Sequence, residues 1–241
     1  MAAAGDLDGR VIVIAGAAGG LGPVVAERLA AAGATLALGD LSEGVLGKLG
    51  ASLELPEDRL DLRAVDLLKP DQAEQWAGEL EARFERVDAV LHLVGGWRGG
   101  DPLERTTDED YEWLHDLLVG TTRRVSQAFY GPLNRSGQGR FVLVSSTQAQ
   151  APDGTNASYA ATKASAESWT LALADSFAAD GCGATANIIV VNAILTPEMR
   201  EEDPGGDHAS FTSAEDIADA CAYLCSDAAA KMNGGRMPLH P

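Results

Sequence analysis

The run Val11-Ile12-Val13-Ile14 is apolar at every position, with no alternation, and it breaks at once into Gly16-Ala17-Ala18-Gly19-Gly20-Leu21-Gly22. A strand apolar on both faces has to be covered on both faces, which points to a parallel sheet between layers of helices. A helical segment follows through about Ala32, with Pro23 tolerated in its first turn. Strand, glycine loop and helix in that order leave little choice of fold class: α/β.

The alternation continues along the chain. Thr35 to Gly39 is predicted as a second strand ending in Asp40, Leu60 to Val65 as a third followed by Asp66, and Pro70 to Phe84 as a helix. Ala89 to Val94 reads as a fourth strand, running into the loop Gly95-Gly96-Trp97-Arg98-Gly99-Gly100. Asp108 to about Tyr130 is helical by periodicity, Phe141 to Ser145 is a fifth strand and Ser158 to about Ala179 a further helix. Ala184 to Val191 is a sixth strand, and Gly235 to Leu239 a last one. Ser213-Ala214-Glu215-Asp216 offers a capping box for a helix reaching about Ser226. The polar stretch 198–212 is expected to be a mobile lid over a substrate. With no linker, repeat or low-complexity segment, residues 1–241 read as one domain.

Composition narrows the partners. A net charge of -18 argues against nucleic acid or an anionic membrane surface, both of which call for basic protein surface. No apolar run approaches a membrane span, and Met1 to Arg10 has neither the basic flank nor the apolar core of a secretion signal. Cys182, Cys221 and Cys225 have no zinc spacing and suit a reducing cytoplasm, with Cys221 and Cys225 as core residues of a helix. The four histidines form no metal pattern, so no metal is expected.

Two patterns carry chemistry. Glycines after a strand let the backbone turn tightly and approach a diphosphate, whose charge a helix N-terminus then meets. At the end of the second strand, Asp40 is either a turn cap or an acceptor for both ribose hydroxyls of an adenosine. In the second role it repels a 2'-phosphate, and no Arg or Lys in the glycine loop compensates, so NAD(H) is preferred over NADP(H). Further on, Tyr159 and Lys163 lie four apart on one helix face, with Ser146 thirteen residues before the tyrosine. A cation beside a phenol lowers a pKa that starts at about 10 and makes tyrosine a usable proton donor and acceptor.

Taken together, Gly16-xxx-Gly20-x-Gly22, Asp40, Asp66, Ser146 and Tyr159-xxx-Lys163 resemble the short-chain dehydrogenase/reductase family, over essentially the whole chain. The resemblance implies a single-domain, doubly wound (Rossmann-type) parallel sheet of about seven strands with helices on both faces, and hydride transfer to or from a nicotinamide. It implies Tyr159 as the acid, Lys163 depressing its pKa and holding the nicotinamide ribose, and Ser146 bonding the reacting oxygen. It also implies Asp66 beside the adenine, Thr196 on the carboxamide, and Leu21, Leu67 and Gly95 completing the cofactor set. A homodimer or homotetramer acting on a small-molecule substrate is the expected assembly.

The chain departs from the family pattern in several places. Ala15 replaces the opening threonine, His92-Leu93-Val94-Gly95 replaces Asn-Asn-Ala-Gly, Leu118 stands where the family has a helix asparagine, and Val191-Asn192 replaces Pro-Gly. Leucine cannot organise a water relay through its side chain, and His115, one turn earlier, is either its substitute or a partly exposed helix residue. Val94-Gly95-Gly96-Trp97-x-Gly99-Gly100 and Leu195-Thr196-Pro197-x-Met199 are similar to the dihydropteridine reductase branch. By that likeness Trp97 lies at the pocket mouth with its flat face to a planar heterocycle; otherwise it packs against the glycine-rich loop. The alternative to an enzyme is a non-catalytic NAD(H)-binding or scaffold member of the family, which the departures favour and the intact Ser146, Tyr159 and Lys163 oppose.

Overall fold

A computed structural model describes residues 6–240; the first five residues of the stretch read for a targeting signal, and residue 241, lie outside it. The apolar run forms β1 (Val11–Ala15), buried at every position. Around it lie β2 (Thr35–Asp40), β3 (Leu60–Ala64), β4 (Ala89–His92), β5 (Arg140–Ser146) and β6 (Thr185–Val191). A short pair follows, β7 (Ala193–Leu195) with β8 (Phe211–Ser213), and then β9 (Arg236–Pro238). Seven strands make one parallel sheet in the order β3-β2-β1-β4-β5-β6-β9. The order reverses between β1 and β4, and it is outside the strand ends at such a switch that open α/β sheets bind ligands.

Side-chain alternation sorts the core into two layers. Ile12, Ile14, Val142 and Val144 face α1 (Gly22–Ala31), α2 (Glu43–Ser52) and α8 (Ala214–Cys225). Val13, Ala15, Phe141 and Leu143 face α3 (Gln72–Phe84), α5 (Thr121–Ser136) and α6 (Ala157–Asp180). Cys221 and Cys225 are fully buried in α8, all three thiols are free, and burial pushes the Cys225 thiol up to about 12.

Two elements depart from the sequence expectation. Helix α2 was not anticipated; Ser42 caps it by accepting the Val45 N–H, and Leu46 and Leu49 anchor it to the core. The long helix expected from Asp108 is α4 (Asp108–Leu114), then a π segment at His115–Gly120, then α5. Thr121 and Thr122 bond back to the carbonyls of Leu117 and Leu118 there, the kind of side-chain bond that accompanies irregular helix. The segment expected as a lid carries α7 (Pro197–Glu202), and its two ends are stitched together by the parallel pairing of β7 with β8. The capping box forms as expected: Ser213 Oγ accepts the Asp216 N–H at 3.1 Å.

Candidate active site

Both candidate sites open at the C-terminal ends of the parallel strands. The first is a cavity of about 370 Å³ between the glycine loop and the ends of β2 and β4, lined by Gly16, Asp40, Asp66, Leu67, Gly95 and Thr121 among others. Gly16 has φ +89, and a Cβ there would lie 2.7 Å from the backbone nitrogen of Val94. No L side chain fits that approach. Gly22 begins α1 so close to Ala17 that a Cβ would reach its carbonyl oxygen, so helix and loop pack backbone to backbone. Gly20 faces Thr196, whose Cγ2 a Cβ would meet at 3.0 Å. Thr196, just before α7, therefore packs against the glycine loop. Thr196 itself caps α7, Oγ1 accepting the Met199 N–H at 3.3 Å.

The Asp40 carboxylate is held at the cavity edge by backbone donors, Ala18 N–H at 2.9 Å and Leu41 N–H at 2.7 Å. Asp66 caps its own loop by accepting the Leu68 N–H, beside the buried Leu67. Leu21 is placed differently from the rest. Its side chain is in the core, and what it presents at the N-cap of α1 is backbone.

The second cavity, about 390 Å³, is lined by Ser146, Tyr159, Lys163, Trp97, Asn156 and Asn192 among others. Ser146 ends β5, and its Oγ accepts the Gln148 N–H at 3.2 Å. Its own proton is then free to go to the Tyr159 oxygen, and a Ser146 hydrogen bond does reach that phenol. Lys163, one turn beyond Tyr159 in α6, is buried, with Nζ 2.9 Å from the Val144 carbonyl oxygen and 5.8 Å from the tyrosine ring centroid.

That orientation corrects one expectation. Tyr159 is not shifted down: burial raises its pKa above the ordinary value, and the Ser146 hydrogen bond only partly opposes that. The ammonium gives one N–H to the Val144 carbonyl, and burial lowers its own pKa to about 8, offset in part by Glu167. Tyr159 is therefore a neutral phenol across the physiological range, a proton donor as it stands.

Trp97 lines this cavity and also packs on its own loop: it is 59% exposed, and its ring lies 3.2 Å from where a Gly99 Cβ would stand. Its Nε1–H donates to Asn156 Oδ1 at 2.9 Å, and Asn156 is steadied in turn by Asp153. Sequence reasoning passed over Asn156, which had only its place beside a predicted helix start as a signal, and met Asn192 only as a departure from the family pattern after the sixth strand. His115 lies on the surface, stacked on Tyr111 and 3.6 Å from Asp116, and takes no part in the site. Leu118 is buried and apolar in the π segment.

The chain resembles known proteins over most of its length. The sequence profile of the family described as enoyl-(acyl carrier protein) reductase matches residues 16–239. The chain is 27% identical over 237 residues to the 3-oxoacyl-[acyl-carrier-protein] reductase FabG of Escherichia coli, covering 95% of each. It is 28% identical over 244 residues to the D-threitol dehydrogenase of Mycolicibacterium smegmatis, covering 97% of this chain and 92% of that one. Its fold superimposes on a short-chain type dehydrogenase/reductase from Mycobacterium ulcerans with a TM-score of 0.88 at 24% identity, over 97% of this chain and 89% of that one. With strand order, glycine loop and matched span in agreement, the chain belongs to the short-chain dehydrogenase/reductase family of oxidoreductases.

Proposed function

We propose that this protein is an NAD(H)-dependent oxidoreductase that transfers hydride to or from a small carbonyl compound, with Tyr159 as the acid, Lys163 as its cationic neighbour and Ser146 orienting the reacting oxygen. The observation that carries this reading is that Ser146, Tyr159 and Lys163 line one cavity, with the Lys163 Nζ 5.8 Å from the Tyr159 ring centroid, beside the glycine loop.

The chain fits a nicotinamide dinucleotide on its own geometry. The glycine loop leaves no room for side chains where a diphosphate would approach the start of α1, and the cavity continues between Asp40, Asp66 and Leu67. Gly16, Gly20, Leu21, Gly22, Asp40, Asp66, Leu67, Gly95, Tyr159, Lys163 and Thr196 would hold the group, which when bound supplies or takes up the hydride. Asp40 sets the preference for NADH, since a carboxylate at the cavity edge repels a 2'-phosphate. The Tyr159 hydroxyl gives its proton to the oxygen on which negative charge develops. Ser146 Oγ, anchored by the Gln148 N–H, fixes that oxygen within reach. Lys163 holds positive charge behind the phenol.

The relatives named above act, by their names, on a 3-oxoacyl-[acyl-carrier-protein] and on D-threitol, which supports a carbonyl or secondary alcohol as substrate. A planar conjugated heterocycle, dihydropterin among them, is the second reading, carried by the exposed face of Trp97. Association into a homodimer or homotetramer is supported by an apolar groove of about 380 Å³ between α5 and α6, with Tyr130, Trp169 and Leu173 in its walls. The test is NADH oxidation followed at the nicotinamide absorbance band, across carbonyls, polyol-derived ketones and quinonoid dihydropterin. Tyr159→Phe should cut kcat by about 10²–10⁴-fold while NADH binding stays within about twofold; a variant as active as wild type removes Tyr159 as the acid.

A further inference from the structure

The face of the sheet under α5 and α6 holds buried polar groups that the reaction as described leaves unused. His92, at the end of β4, is 1% exposed and stacks at 6.4 Å on Phe141. Its Nε2 lies 3.1 Å from Thr121 Oγ1. The hydroxyl proton of Thr121 is committed to the Leu117 carbonyl at 2.5 Å, so the oxygen can only accept from the ring. The imidazole is thereby fixed as the Nε2–H tautomer, and Nδ1 is a bare lone pair. That atom is buried with no hydrogen-bond partner, and so is Ser145 Oγ.

The two lie on one side of the sheet. His92 pairs with Leu143 in the β4–β5 register, and Ser145 is two residues further along β5 on the same face. Lys163 comes down on this spot from α6. One of its N–H bonds is taken by Val144, Ser145 shares its cavity, and its charge is felt at His92. An acceptor, a hydroxyl and an ammonium with N–H groups to spare thus converge where each buried orphan would otherwise cost about 1–3 kcal/mol. Leu118, in the π segment above, offers no polar side chain to this spot.

We propose that His92 is a positioning residue for Lys163: its bare Nδ1 and the Ser145 hydroxyl hold the ammonium in the reacting site through an internal water. This rests on the reading of Lys163 as part of the active site. The polar set does what a side chain from the helix would otherwise do, and it does so from the sheet. The imidazole stays neutral, its pKa pushed down to about 3 by burial and then by Lys163, so it serves as an acceptor throughout the working range. The other groups facing Lys163 are Tyr159 and Glu167 from its own helix, with Arg236 of β9 held on Glu167 at 2.7 Å. From β5 come the Val144 carbonyl and the Ser145 hydroxyl, and from the start of α5 the Thr121 hydroxyl.

The test follows Lys163 Nζ by NMR in lysine-labelled protein without cofactor, alongside kcat against pH. His92→Phe keeps the ring and its stacking but removes both nitrogens. It should lower the Lys163 titration midpoint by about one pH unit, because the ammonium loses polar support. It should also lower kcat at neutral pH about tenfold, with the KM for NADH within about twofold. His92→Asn, which returns an acceptor near the Nδ1 position, should recover most of both. Ser145→Ala should move the midpoint in the same direction, and it decides the matter if His92→Phe does not fold. A wild-type midpoint and pH profile in the folded variants overturns the proposal. If instead Tyr159→Phe proves fully active, the catalytic reading fails, while the midpoint still reports on His92.

Discussion

The two cavities at the top of the sheet are built on opposite principles. The one beside the glycine loop is made largely of backbone: its walls are set by how closely Gly16 approaches Val94 and Gly22 approaches Ala17, and one of its two carboxylates, Asp40, is pinned by two amides. The one beneath Trp97 is made of side chains, Ser146, Tyr159 and Lys163; burial raises the tyrosine pKa against the Ser146 hydrogen bond and lowers the lysine pKa against Glu167. A backbone site recognises what is common to every substrate pair the enzyme meets. A side-chain site can retune its chemistry by single substitutions. Lesions in the first should therefore appear in binding, and lesions in the second in rate.

The largest effect expected on that contrast is at Gly16. Gly16→Val puts a β-branched side chain at φ +89 against the Val94 amide, and should weaken NADH binding at least tenfold, to be read by fluorescence titration. A strained backbone of this kind also costs about 1–3 kcal/mol of stability. If the variant binds NADH normally, the loop is not the cofactor cradle and the contrast breaks.

Asp40→Ala sharpens the same side. Removing the carboxylate should shrink the NADH/NADPH preference about tenfold, or about 1.4 kcal/mol, measured as the ratio of kcat/KM values. An unchanged ratio counts against the ribose role.

On the side-chain side, pH supplies the test. Lys163 carries its charge below about pH 8 and loses it above, so the rate of carbonyl reduction should fall as pH rises through about 8. Stability should move the other way. Between about 8 and the ordinary lysine value of 10.5 the unfolded chain binds more protons than the folded one, so this group's contribution to stability rises with pH. A rate loss matched by unfolding would show that the limb belongs elsewhere.

The smallest effect is at the mouth. Trp97→Ala removes an exposed ring held by one bond to Asn156, and should raise the acceptor KM about three- to tenfold, with the KM for NADH unmoved. An effect on NADH instead would join the two cavities into one functional unit.

At the far end of the strands, another polar cluster gathers around the buried Asp88. Burial would raise the Asp88 pKa, but hydrogen bonds from Arg86, Ser136 and the Val11 amide outweigh it and lower the pKa below the usual carboxylate value. Its contribution to stability is present above the unfolded carboxylate pKa and is lost as pH falls through the folded one. This cluster lies at the N-terminal edge of the sheet, away from both cavities.

Much of this was legible in the sequence because periodicity and backbone chemistry are local. A short unbroken apolar run that ends in a glycine loop is the signature of a strand buried on both faces, and glycines at Gly16, Gly20 and Gly22 suit a turn that leaves no room for side chains. The four-residue step from Tyr159 to Lys163 can only put both on one helix face. What local pattern does not carry is what lies across from a side chain. Tertiary structure alone turned the Lys163 ammonium to the Val144 carbonyl, raised rather than lowered the Tyr159 pKa, and set Asn156 under Trp97. It also brought His92 and Ser145, 53 positions apart, onto one face of the sheet beneath the same lysine. The physical reason is that a pKa or a hydrogen bond depends on the dielectric and the partners that packing supplies, and these come from strands and helices distant in the chain.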